Sequence, residues 1–105
     1  MKILIVEDEK KLAEMLKKRL ERESFAVDIT HDGKSALFLV RTNPYDLVIL
    51  DLMVPEVRGV EFCETIRKEN KELFVIVLSA LSQTKDKVRA FEAGVDDYLT
   101  KPFSF

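Results

Sequence analysis

Leu47-Val48-Ile49-Leu50-Asp51-Leu52-Met53-Val54-Pro55 runs four apolar residues straight into a carboxylate. A run that short, rich in β-branched residues and apolar on both alternating sides, is the pattern of a strand buried on both faces, as in a parallel sheet. Two more runs share it, Ile3-Leu4-Ile5-Val6 and Phe74-Val75-Ile76-Val77-Leu78. Between and after them lie stretches of helical period: Leu12, Met15, Leu16 and Leu20; Ala36, Leu37 and Val40; Phe62, Cys63 and Ile66; Val88 and Phe91. These predict four amphipathic helices. Asp32 is placed to cap the second, Pro44 to stop it, and Gly94 to end the fourth as a left-handed cap. Residues 26–30 and 97–100 read as weaker strands. Strand and helix therefore alternate, which predicts an α/β fold with five parallel strands.

Ligands of such sheets sit at the carboxyl ends of the strands, where the strand order reverses. Glu7-Asp8-Glu9 follows the first strand, Asp51 the third, Ser79 the fourth and Lys101 the fifth. Numbered along the chain, the flavodoxin-like order 2-1-3-4-5 makes the first and third strands neighbours about 4.8 Å apart, so that Asp8 and Asp51 can share an ion. The order 3-2-1-4-5 would hold them apart. The acids therefore favour a doubly wound sheet of order 2-1-3-4-5. Three carboxylates in one crevice must raise a pKa or be relieved by a cation. With oxygen ligands alone on offer, the expected ion is Mg2+, with Mn2+ as a substitute.

Each residue has a plainer reading. Acids after a strand often cap the next helix, and this is the preferred reading for Glu9. Ser79 could merely form a turn and Lys101 could be a solvated surface lysine. Jointly the plainer readings fail. An aspartate at a strand end can attack a phosphoryl group provided a metal and a cation neutralise the transferring oxygens, and Asp51, a bound ion, Lys101 and Ser79 supply those parts.

The stretches Val6-Glu7-Asp8-Glu9, Asp51-Leu52-Met53-Val54-Pro55, Ser79-Ala80 and Asp96-Asp97-Tyr98-Leu99-Thr100-Lys101-Pro102-Phe103 resemble, in order and spacing, the motifs of the receiver domain of bacterial two-component response regulators. That resemblance implies that Asp51 is the phosphoacceptor and that Glu7 and Asp8 are the acidic pair of the metal site. Met53 would lend Mg2+ its backbone carbonyl, and Lys101 would contact the phosphoryl group through a bond to Pro102 that is typically cis. Ser79 and Tyr98 would be the switch pair. The implied partner is a sensor histidine kinase, and the implied act is a signalling one rather than turnover by an enzyme, although a receiver assists its own phosphorylation and dephosphorylation. Receivers of this kind often precede DNA-binding domains, so transcription control is an inference about a parent protein.

Two features depart from the family. Arg58 stands before Gly59 where Asp or Asn is usual, which puts the turn between the third strand and third helix in question. The family also continues past Lys101-Pro102-Phe103 into a fifth helix, whereas the given sequence stops at Phe105. We therefore expect one receiver domain over 1–105, incomplete at its C-terminus. Right-handed crossovers leave the first helix alone on its face of the sheet, so a homodimer partner or an exchanged element is expected to cover the rest.

Composition agrees. The 105 residues are 47% hydrophobic and 34% charged, which is that of one packed domain and not a disordered chain. No apolar run approaches the roughly 18 residues of a membrane span, and the apolar stretch at the N-terminus stops at Glu7, too short for a signal peptide. A single cysteine, Cys63, fits a cytoplasmic setting. The net charge of −2, spread evenly, argues against direct binding of nucleic acid through this domain. His31 reads as a surface residue and Cys63 as semi-buried packing. The Lys17-Lys18-Arg19 run reads as a solvated helix face.

Three rival functions remain. Haloacid-dehalogenase-like phosphatases or transferases share the aspartate nucleophile but need a second Asp two residues on, where Met53 stands. A binder of flavin mononucleotide would have its phosphate repelled by Glu7-Asp8-Glu9. A structural interaction module that is never phosphorylated is disfavoured because every acid, hydroxyl and lysine position is filled.

Overall fold

The computed structural model describes residues 1–69 and 72–102. Phe103, the last residue of the resemblance quoted above, lies outside them. Nine elements alternate along the chain: β1 (Lys2–Val6), α1 (Lys10–Arg22), β2 (Ala26–Thr30), α2 (Gly33–Thr42), β3 (Leu47–Leu50), α3 (Gly59–Lys68), β4 (Phe74–Ser79), α4 (Thr84–Ala93) and β5 (Asp97–Thr100). The strands form one parallel sheet in the order β2-β1-β3-β4-β5, the order that the acidic residues favoured.

The two faces of the sheet are covered unequally. Leu4, Val6, Val48, Leu50, Val75 and Val77 point to one face and pack against α2, α3 and α4. Ile3, Ile5, Val27 and Leu78 point to the other and pack against α1 through Ala13 and Leu16. Leu99 pairs with Leu78 and Phe74 with Leu47, so both lie on the α1 face. They are 46% and 51% exposed. Among the described helices α1 thus stands alone there, as the crossover rule demands.

The helix ends show which local signals prevailed. Asp32 caps α2 by accepting from Ser35 N–H at 2.7 Å, and Gly94 ends α4 at φ 105°. Glu9 is the N-cap residue of α1, but its side chain makes no capping bond. Its backbone N–H instead donates to Glu7 Oε2 at 3.0 Å. Arg58 likewise heads α3 without a side-chain cap, and the turn closes through Gly59 N–H to Leu52 O. The apolar pattern of α4 misleads: Val88 and Phe91 are each 48% exposed, and the helix buries Ala90 and Ala93. Met15 on α1 is also exposed, while Cys63 is fully buried rather than semi-buried.

No helix among the described residues is long and apolar enough to cross a membrane.

Candidate functional site

Register brings the strand ends to one edge. Val6 pairs with Leu50 and Ser79 with Thr100. The ladder continues one residue beyond the strands: Glu7 N–H donates to Thr30 O, Asp51 N–H to Val6 O at 2.9 Å, and Lys101 N–H to Ser79 O at 2.8 Å. Each chemical side chain therefore hangs from backbone that a neighbouring strand pins. Pinning of this kind fixes position more tightly than a free loop does.

The side chains converge. Carboxylate oxygens of Glu7, Asp8 and Asp51 all lie within 4.8 Å of one another. Glu7 and Asp51 are buried, and Asp8 is exposed. Lys101 Nζ reaches in from the end of β5, 2.7 Å from Glu7 Oε1, 3.0 Å from Asp51 Oδ2 and 3.8 Å from Glu9 Oε2. Asp51 Oδ1 accepts from Met53 N–H at 3.0 Å, which orients the carboxylate. The Lys101–Pro102 bond is cis.

The electrostatics follow from burial and pairing. Desolvation raises the Glu7 pKa and Asp51 adds to it, while Lys101 and the Glu9 N–H oppose the rise without cancelling it. Burial alone would lower Lys101, but hydrogen bonds to Glu7 and Asp51 outweigh it and hold the ammonium above its ordinary value. The residues thus form an acidic cluster with one neutralising cation. Oxygen donors without His or Cys suit a hard divalent ion, so the cluster could hold one.

On the other side of Asp51 lies a hydroxyl and an aromatic ring. Ser79 is fully buried and its Oγ accepts from Leu81 N–H at 3.2 Å. Tyr98 is half-buried, and its phenol donates to Leu81 O at 2.5 Å. Burial raises the Tyr98 pKa, and a side-chain contact with Ser79 partly offsets the rise. Lys87 Nζ sits 5.9 Å from the Tyr98 ring centroid.

Of the residues singled out from the sequence, Glu7, Asp8, Asp51, Met53, Ser79, Tyr98 and Lys101 all meet at this edge. Three relationships escaped that reading: Lys101 lies nearer to Glu7 than to Asp51, Leu81 contacts both Ser79 and Tyr98 through its peptide groups, and His31 is not a bare surface residue. Its Nδ1 lies 2.8 Å from the Glu7 carbonyl oxygen, buttressing the strand end that carries the acids. Leu81 could not have been found from its side chain, because backbone groups carry no residue signature.

The sequence is matched by a family model, the response regulator receiver domain, over residues 3–105. The chain belongs to the response regulator receiver family. This receiver is 48% identical to response regulator ArlR of Staphylococcus saprophyticus over 102 residues, 97% of its own length and 46% of ArlR. It is 45% identical to the transcriptional regulatory protein CusR of Escherichia coli over 105 residues, all of the receiver and 46% of CusR. The chain thus spans about half the length of these relatives. Among solved structures, the receiver domain of the Francisella response regulator 1452 superposes with a TM-score of 0.93 at 43% identity, covering 98% of this chain and 85% of that one.

Proposed function

We propose that Asp51 is the phosphoacceptor of this receiver, taking a phosphoryl group from the phosphohistidine of a sensor histidine kinase in a Mg2+-dependent reaction. The observation that carries the proposal is Lys101 Nζ at 3.0 Å from Asp51 Oδ2, inside a cluster of three carboxylates. Glu7, Asp8, Asp51 and the Met53 carbonyl would hold the ion. When bound, Mg2+ supplies positive charge to the oxygens of the transferring group.

The chain's own residues do the rest. An Asp51 oxygen forms the new bond to phosphorus as the phosphorus–nitrogen bond to the donor imidazole breaks, and the imidazole leaves with the bonding pair. Lys101 pairs with a phosphoryl oxygen, and the Ser79 hydroxyl, on turning toward the site, donates to another. Tyr98 follows Ser79, and the α4-β5 surface is biased toward the form that an output reads. The receiver assists its own phosphorylation and later hydrolysis but turns over no separate substrate, so we do not class it as an enzyme. In a longer parent protein, as the name of CusR suggests, the output is control of transcription. The setting is the cytoplasm, and the even charge of −2 supports no direct contact of this domain with nucleic acid.

Open Phe74 and Leu99 support a second part of the proposal: a second copy, or an element exchanged with one, covers the α1 face. A stable monomer at micromolar concentration in sedimentation counts against it.

The decisive experiment is labelling by acetyl phosphate with and without Mg2+. Label that needs Mg2+ and disappears in Asp51→Asn supports the proposal. Label that persists in Asp51→Asn sinks it, turnover of a small phosphoester points to a phosphatase or transferase, and inertness points to a structural module.

A further inference from the structure

Asp8 is the one exposed member of the acidic cluster, and among the described residues no group bonds to its carboxylate. What aims that carboxylate is therefore backbone. A peptide unit is planar, so holding the plane before a residue and the plane after it fixes the direction of its side chain. Both planes around Asp8 are held. The Asp8–Glu9 peptide is tethered by Glu9 N–H, which donates to Glu7 Oε2 at 3.0 Å. The Glu7–Asp8 peptide is tethered by its carbonyl oxygen, 2.8 Å from His31 Nδ1. A carbonyl oxygen only accepts, so Nδ1 carries the hydrogen of that bond. The first tether ends on a carboxylate that an ion would itself engage. The second comes from outside the cluster and would survive loading. His31 is also well anchored: the Thr30 carbonyl before it accepts from Glu7 N–H, Asp32 after it caps α2, and Gly33 N–H donates to Pro55 O. The half-buried ring thus projects from backbone fixed on both sides, the condition for holding a neighbouring group in place.

We propose that His31 is a positioning residue of the ion site: through the Glu7–Asp8 peptide it aims the Asp8 carboxylate at the crevice shared with Glu7 and Asp51. The proposal rests on the reading of this cluster as a Mg2+ site and deepens it by naming a residue that contributes no ligand of its own. Outer partners that orient metal ligands typically change affinity by about 10- to 100-fold. Here the orienting bond acts through one peptide, so the lower end applies. In the competing reading His31 only closes the turn between β2 and α2. The two readings part in what loss of the imidazole does: a turn residue changes stability, whereas a positioning residue changes the affinity for the ion.

The test follows the amide resonances of the full 15N-labelled chain as Mg2+ is added to the parent, to His31→Ala and to His31→Asn. Urea unfolding of the same proteins is recorded with EDTA present. Asn offers an N–H donor at nearly the reach of Nδ1. We expect His31→Ala to raise the Kd for Mg2+ about tenfold, and His31→Asn to stay within about threefold of the parent. A Kd in His31→Ala within about twofold of the parent overturns the proposal, and a lowered urea midpoint beside it assigns His31 to the turn alone. An Asn variant that binds as weakly as His31→Ala also overturns it, since the donor is then not what acts. Should His31→Ala fail to fold, His31→Leu, which keeps bulk and lacks the donor, is read by the same criterion. A parent with no saturable response to Mg2+ overturns the ion-site reading, and this proposal falls with it. A parent that binds Mg2+ no better than His31→Ala does leaves the ion site standing and removes His31 alone.

Discussion

Lys101 Nζ lies closer to Glu7 Oε1, at 2.7 Å, than to the carboxylate it is expected to serve in phosphoryl transfer. Glu7 is 2% exposed, so the ammonium is what makes its negative charge tolerable. Removing one member of a buried pair leaves the other charge uncompensated, at a cost of about 3–5 kcal/mol. The Lys101 side chain is 17% exposed, and we take the lower end.

Lys101→Met is therefore expected to lower the unfolding free energy in urea, with EDTA present, by about 3 kcal/mol. Adding Glu7→Gln to Lys101→Met should restore part of the loss, since Asp51 is then the one buried carboxylate of the pair left without the lysine. The loss should also shrink as the pH falls, because Glu7, whose pKa is already raised by burial, takes up a proton more readily once the lysine is gone. An unchanged urea midpoint in Lys101→Met would remove the pair from any account of stability.

Asp32 offers a pH-dependent test at the other end of the scale of energies. Its carboxylate accepts from Ser35 N–H and from the Ser35 hydroxyl, and the backbone bond is the first cause of its lowered pKa. Asp32→Ala should cost about 1 kcal/mol as a lost helix cap. A lowered pKa in the folded state means the contribution is complete above the ordinary aspartate range and is lost as the pH falls through the lowered value. The difference between Asp32→Ala and the parent should thus be constant near neutrality and vanish in acid. A difference that grows in acid would contradict the capping role.

Legibility in the sequence tracked how strongly a residue's identity depended on its surroundings. Asp8 and Asp51 can share an ion only across adjacent strands, so the site itself selected the strand order that the sheet adopts. Helix positions were less transparent. Periodicity weighs large apolar residues, yet α4 packs through Ala90 and Ala93, where small side chains let the helix approach the sheet, and leaves Val88 and Phe91 open. Glu9 makes no side-chain cap; its carboxylate lies 3.8 Å from Lys101 Nζ instead, a partner from the far end of the chain that local sequence does not announce. Bonds to peptide groups, such as those at Leu81 and His31, have no signature in residue type at all.

Cys63 reports on the core beneath the site. It is fully buried, and burial pushes its thiol up to about 11, against a smaller lowering by Arg67. Thiolate is the reactive form, so at pH 8 only about one thiol in a thousand would be ionised. Iodoacetamide should leave the native chain unmodified over hours and alkylate it within minutes in concentrated urea. Rapid stoichiometric alkylation without denaturant would show that α3 opens far more readily than its packing implies.

Gly33 links the core to the site through the loop between β3 and α3. Its N–H donates to Pro55 O at 3.0 Å, and a Cβ built on it would fall 1.8 Å from Val57 O. No rotamer change relieves a clash with backbone, so an added methyl must push the loop outward. Overpacking of this kind costs about 1–3 kcal/mol, and we expect Gly33→Ala to reach the upper end. The displaced loop begins with Asp51-Leu52-Met53, and Asp51 Oδ1 is oriented by Met53 N–H. Gly33→Ala should therefore weaken Mg2+ binding in calorimetry as well as lower the melting temperature, although Gly33 itself touches no carboxylate of the cluster. Loss of stability with Mg2+ affinity intact would mean that the loop absorbs the push before it reaches Met53.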